Sequence, residues 1–290
     1  MMNRILCPVD FSESSLNAVE FAAKLGATHK ASLTLIHVFT EDEFEAALSS
    51  QKLPEHYRKS DIDNMVGHAE DMLQQLTEEV FRMQKRHGLS KCNYHFTSGP
   101  LNQQIVDYAK EHQYSMIVMG TSGVKDIFEE YIGSNTVKTI TRASCPVLCV
   151  PTTARYRIPK KIMYATDYQE EDMEALTRLA LLAEPFKAEL HVVHLCQNKN
   201  LHEQAAYQDF QKKIEEVIPD ASLQFEEVVS KDDIAQGIDR YAIRQKMDMV
   251  ALLYHRRNLF ERLFEGSTVK DISYFATYPV LVYRESSLLN

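Results

Sequence analysis

Arg4-Ile5-Leu6-Cys7-Pro8-Val9-Asp10 has a counterpart 157 positions later, Lys161-Ile162-Met163-Tyr164-Ala165-Thr166-Asp167. Leu33–Val38 recurs as Leu190–Leu195 at the same offset, and His194 falls on His37. Further along the offset is 133. Met249–Leu252 then matches Met116–Met119, Gly266-Ser267 matches Gly133-Ser134, and Tyr278–Val282 matches Cys145–Cys149. The change of 157 − 133 = 24 residues makes the second half shorter between its second and third strands. A tandem duplication of this kind folds as two similar units. The polar stretch Thr152–Pro159, with Arg155 and Arg157, reads as the connection. The division expected is residues 1–153, a linker at 154–160, and residues 161–290.

Within the first half, short apolar runs alternate with stretches of helical spacing. The runs are Arg4–Asp10, Ala31–Phe39, Tyr94–Ser98, Ser115–Met119 and Val147–Pro151. Ser12 and Ser14 or Ser15 offer caps for a first helix that Gly26 is expected to close. A long amphipathic helix is expected over Asp61–His87, with Met65, Met72 and Met83 beside Leu73, Leu76 and Val80 facing the core. Gly99-Pro100 starts another helix, with Ile105, Val106 and Ala109 inward. Strand–helix alternation predicts the α/β class, two tandem doubly wound, Rossmann-like domains. Val147–Val150 and Val280–Tyr283 are apolar edge strands that need cover, and in a tandem chain they can pair with each other. A homodimer of such chains is a further possibility that the sequence does not decide.

The glycine pattern falls at the carboxyl edge of that sheet. Gly120-Thr121-Ser122-Gly123 follows the apolar run Met116–Met119, and nine residues later comes Gly133-Ser134-Asn135-Thr136 before a helical stretch. A helix start with free N–H groups and the positive end of the dipole suits an anion. Two glycine turns flanking a loop is the competing reading, and spacing alone does not choose between them. Asp10 and Val38 fall at the same edge, where doubly wound sheets bind ligands. In the second half Leu253 and Arg256 replace Gly120 and Gly123, and a β-carbon at either place blocks a close backbone approach. Asp167, Gly266, Ser267 and Thr268 remain as a possible second site. For Asp167 a helix cap or a solvated acid competes, and for Gly266-Ser267-Thr268 a helix cap competes. His37 and His194, both inside strands, read as hydrogen-bonded core residues.

Composition removes several classes of function. The 290 residues carry a net charge of −9, which opposes nucleic acid and anionic membrane surfaces as partners. No apolar run approaches 18 residues, and no signal-peptide core opens the chain, so a cytoplasmic protein is expected. Five cysteines without a CxxC pair read as reduced, mostly buried thiols. GxxxxGK[ST], HExxH and GxSxG are all missing, so no catalytic or metal-binding residue is assigned.

With these residues in hand, the chain resembles the universal stress protein family, specifically its tandem members. The Gly-x2-Gly-x9-Gly-Ser pattern at Gly120, Gly123, Gly133 and Ser134 carries the resemblance, with the strand-one Asp10 and the final Cys145-Pro146-Val147-Leu148. The resemblance implies a five-stranded parallel sheet of order 3-2-1-4-5 in each half, pairing of the halves through their last strands, and adenine-nucleotide binding in the first half. It implies that Pro8, Val9 and Asp10 face the adenosine, with Asp10 near the ribose, and that Val38 offers backbone groups to the adenine. Met119, Gly120, Ser122 and Gly123 would line the ribose and phosphates, and Gly133, Ser134, Asn135 and Thr136 would hold phosphate oxygens. Loop residues 124–132 hold one lysine against three acids, Asp126, Glu129 and Glu130. ATP with a bridging Mg2+, AMP and a cyclic nucleotide all remain open on that count. The expected role is in stress response or signalling; a slow ATP-hydrolysing enzyme and a ligand-free interaction scaffold are the alternatives.

Overall fold

Ile5, Leu6 and Cys7 are fully buried because both faces of their strand are covered, as a central parallel strand requires. The computed structural model describes residues 2–40, 55–121, 134–196, 201–229, 234–254 and 277–288. The first half runs β1 (Arg4–Pro8), α1 (Glu13–His29), β2 (Ser32–Phe39), α2 (Glu55–Gln84), β3 (Lys91–Ser98), α3 (Leu101–Glu111), β4 (Met116–Gly120), α4 (Ser134–Arg142) and β5 (Val147–Val150). The second runs β6 (Lys161–Thr166), α5 (Glu170–Ala183), β7 (Glu189–Cys196), α6 (Leu201–Val217), β8 (Leu223–Val229), α7 (Ile234–Gln245), β9 (Met249–Tyr254) and β10 (Val280–Arg284), followed by one turn, α8 (Glu285–Leu288). Among the described residues no helix is long and apolar enough to cross a membrane.

The strands form one ten-stranded sheet, ordered β3-β2-β1-β4-β5-β10-β9-β6-β7-β8. Each half has the order 3-2-1-4-5, and every pairing within a half is parallel. The sheet is not two separate five-stranded sheets, because β5 and β10 join antiparallel, with Val147, Leu148 and Cys149 opposite Val282, Leu281 and Val280. All six of those residues are buried. One core layer packs α1 and α5 against the sheet, and a second core layer covers the opposite face. The cysteines are free, and Cys7, Cys145, Cys149 and Cys196 are buried. Burial pushes the Cys145 thiol up to about 12, so it stays protonated and behaves as an apolar side chain.

Two local expectations are corrected. Gly26 does not close α1: the helix continues to His29 and ends at Lys30 in the left-handed conformation (φ 55°). Gly26 serves packing instead, because a β-carbon there would lie 3.0 Å from Leu89 Cδ1. The methionines of α2 are not in the core. Leu73, Thr77 and Val80 are buried, whereas Met65, Met72 and Met83 are 43%, 37% and 55% exposed. At 100° per residue the methionines lie beside the Leu73–Val80 stripe rather than on it, and this helix buries only a narrow stripe over the outer strands β2 and β3.

The halves also meet at the end of α1, where His29 packs edge-on against Phe186 with ring centroids 5.4 Å apart. Burial lowers the His29 pKa below 6.5, a backbone contact with Leu182 opposing part of that shift. The unfolded chain therefore takes up this proton more readily than the folded one. Stability is complete above the unfolded-state value and falls as pH drops through 6.5 toward the lower folded value. Thermal melts between pH 7.5 and pH 5, on the order of that window, are expected to show a shallower acid-side decline for His29→Leu than for the parent chain.

Candidate functional site

The end of β1 is fastened to β2 by a side chain. Val9 N donates to Ile36 O at 2.8 Å, extending the ladder one residue. The next carbonyl contact comes from a ring: His37 Nδ1 lies 2.7 Å from Val9 O. A carbonyl only accepts, so Nδ1 carries the proton. Phe11 turns into the left-handed region (φ 61°) and lays its ring 5.2 Å from that of His37. The second half repeats the device 157 residues on. His194 Nδ1 lies 2.8 Å from Thr166 O, and Tyr168 (φ 63°) stacks on His194 at 4.1 Å. A non-glycine residue in this region costs about 1 kcal/mol, which ring packing offsets. Both histidines are therefore structural, as their place in the repeat indicates.

Beyond this fastening, a cleft of about 460 Å³ opens at the carboxyl ends of the first-half strands. Val9, Ile36 and Val38 give it an apolar floor, and Asp10 and Thr40 stand at its side. Gly99 and Pro100, which follow β3, and Leu101 and Asn102, which start α3, form one wall; Asn135 in the first turn of α4 forms another. The two helix starts are tied together. Asn102 Nδ2 donates to Asn135 Oδ1 at 3.0 Å, and the Thr139 hydroxyl lies 3.1 Å from Asn102 Oδ1 and 2.9 Å from Asn135 O. Two positive dipole ends thus border one apolar floor. Asp10 is exposed, and its Oδ1 accepts from the Ser12 backbone N–H and hydroxyl, which orients the carboxylate. The site can take an apolar planar group on its floor and an anion at the helix starts.

The model of the Universal stress protein family matches residues 1–151 and again 159–284. The chain belongs to that family. Universal stress protein YxiE of Bacillus subtilis (strain 168) is 27% identical over 156 residues, 52% of this chain and 99% of that protein. Universal stress protein MJ0531 of Methanocaldococcus jannaschii is 26% identical over 150 residues, 52% of this chain and 82% of that protein. The crystal structure of a universal stress protein from Archaeoglobus fulgidus DSM 4304 matches with a TM-score of 0.69 at 18% identity, covering 98% of this chain and 97% of that one. That likeness extends the shared fold over both halves.

Within this universal stress protein fold, Val9, Asp10, Val38 and Asn135 come together at the cleft. Pro8 ends β1 just behind Val9, half-buried. Met119 does not face the cleft; it is buried in the second core layer. Thr136 is also buried, and its hydroxyl donates to Gly120 O at 3.2 Å, so it ties α4 to the end of β4 rather than offering its hydroxyl to a ligand. Ser134 begins α4. Ser122, Gly123 and Gly133 lie outside the described residues, as do Gly266, Ser267 and Thr268. Asp167 follows the end of β6 without capping a helix: the cap position of α5 is Gln169, whose N–H donates to Asp172 Oδ2 at 3.0 Å. Ile36, Thr40 and the Gly99–Asn102 wall were not anticipated. The signal for that wall was present, because Gly99-Pro100 follows a strand at the ligand-binding edge.

Gly120 has a reason of its own. A β-carbon there would lie 2.8 Å from both the carbonyl carbon and oxygen of Ser14 and would collide with the Ser14 hydroxyl. The glycine lets the start of α1 press onto β4. Its counterpart Leu253 is buried, and α5 lies less closely on β9 than α1 lies on β4. Gly120→Ala is expected to cost about 1–3 kcal/mol by overpacking, read from urea unfolding curves, because the obstacle is backbone rather than a flexible side-chain tip.

Proposed function

We propose that the first half binds an adenine nucleotide in this cleft and that the protein acts in stress response or signalling rather than as a fast catalyst. The observation that carries this reading is the pairing of an apolar floor, Val9, Ile36 and Val38, with two tethered helix starts in one cleft. The cleft volume lies within the range of small-molecule sites. In this reading the base rests near Val38, and the Asp10 carboxylate accepts from ribose hydroxyls. The phosphates lie toward Gly120, Ser122, Gly123, Gly133, Ser134 and Asn135, where backbone N–H groups at the start of α4 receive them. A divalent ion such as Mg2+ would bridge a polyphosphate and the acids of the 124–132 loop. AMP or a cyclic nucleotide would need no such bridge.

Two measurements test the reading. The purified protein is denatured and its supernatant assayed for adenine nucleotide, and the native protein is melted with ATP, AMP and cyclic AMP. Bound nucleotide or a rise in melting temperature supports binding; a clean supernatant with no shift for any of the three overturns it. Asn102→Asp places a negative charge between the two helix starts. It is expected to weaken ATP by roughly ten-fold, about 1.4 kcal/mol, while adenosine is weakened less. Equal loss for ATP and adenosine would place the phosphates elsewhere.

A further inference from the structure

The far end of α4 is held by the other half of the chain. Ala143 follows α4, and its N–H donates to Thr139 O at 2.8 Å. Its own carbonyl lies past the helix, where no helical N–H reaches it, and Ala143 is fully buried. Arg284, the last residue of β10, donates to that carbonyl from Nη1 at 3.3 Å. A cation there also suits the negative end of the α4 dipole. The bond crosses from the second half to the first.

α4 needs such a hold because little apolar surface fixes it. It lies against α3, β5 and β10, and Thr136, Thr139 and Ile140 are its buried residues. The two threonines spend their hydroxyls on position: Thr136 bonds Gly120 O, and Thr139 bonds Asn102 Oδ1. Polar contacts therefore set where α4 stands, from the first half near its start and from Arg284 at its end. Nine residues make a rod of about 13 Å, so a shift at one end is carried to the other. The hold is one-sided in the repeat. Arg284 is the counterpart of Pro151, 133 residues earlier, and proline has no side-chain donor. The half that keeps the glycine motif is the half whose α4 receives the arginine.

We propose that Arg284 is a positioning residue for the first-half cleft: from the second half it sets α4, so that the start of the helix meets the phosphates of a bound nucleotide. This role rests on the cleft being a nucleotide site, and it makes that site depend on both halves. Arg284 touches no ligand and acts through the helix. The base and ribose, placed on β1 and β2, lie outside its reach.

The test uses the full chain. ATP and adenosine are titrated by calorimetry into the parent, Arg284→Ala and Arg284→Lys, and amide exchange of α4 is followed without ligand. Arg284→Ala is expected to weaken ATP about five- to ten-fold, to leave adenosine within about two-fold, and to speed exchange at the end of α4. Lysine keeps a donor and is expected to recover most of the ATP affinity. Ile214→Val, a core deletion in α6 of the same half, is expected to lower the melting temperature and keep the parent ATP affinity. Unchanged ATP affinity or unchanged α4 exchange in Arg284→Ala overturns the proposal. So does an equal loss for adenosine, or an equal loss of ATP in Ile214→Val. A parent chain that binds neither ligand overturns the reading of the cleft itself, and this role with it.

Discussion

Everything in this molecule depends on two short apolar strands that cannot stand at an edge. β5 is Val-Leu-Cys-Val, and β10 opens Val-Leu-Val-Tyr. Either one alone would present unpaired backbone groups and an apolar row to solvent, a template for aggregation. Pairing them antiparallel removes both edges at once and fixes the halves in a twofold relation. The outer edges of the sheet are then β3 and β8, whose residues are only partly buried. That same pairing brings α1 and α5 onto one face, where His29 reaches Phe186 and the connection reaches Phe21.

Inside each half, the start of the first helix must be held against the first strand, and the two halves use different chemistry. In the first half, Ser15 Oγ accepts from Asp10 N at 3.3 Å and Ser12 Oγ from Ser15 N at 3.2 Å. In the second, the buried Asp172 carboxylate, the counterpart of Ser15, accepts from Tyr164 OH at 2.6 Å, from Thr166 Oγ1 at 2.7 Å and from Gln169 N. A buried carboxylate is tolerated only when its oxygens are so occupied. The adjoining Tyr164 is held protonated, its pKa raised by burial first and by the Asp172 charge second. Neutral serines hold α1, and Gly120 lets it come down onto β4. A charged cluster holds α5, and Leu253 stands beneath.

The repeat carried most of the fold in plain view. Offsets of 157 and 133 located the strands, and a continuous apolar strand such as Leu33–Val38 required a sheet covered on both faces. His37 was readable as structural because the same residue recurs inside the same strand. What failed were inferences from one residue's usual habit. Gly26 looked like a helix stop, yet it lies inside α1, packed closely against the Leu89 side chain. The methionines of α2 had core chemistry and core spacing, but the outer strands beneath that helix accept only the Leu73–Val80 stripe. Met119 and Thr136 stand at motif positions, but both side chains are buried in the protein and neither lines the cleft. Periodicity reports which face is apolar; it does not report how wide a face its neighbour can cover.

Gly120 shows how a motif glycine can be overdetermined. Ligand binding at a strand end calls for a residue without a β-carbon, because a phosphate must approach the backbone. Helix packing calls for the same residue at the same place, because Ser14 already occupies the space a β-carbon would need. These demands are separable in principle and are joined here by geometry: the residue that ends β4 lies both under the start of α1 and beside the start of α4, whose Thr136 donates to its carbonyl. Loss of glycine in one half must therefore move a helix. In the second half Leu253 fills the position, and α5 packs less closely on β9 than α1 packs on β4. The asymmetry between the halves follows from packing at the sheet, before any ligand is considered.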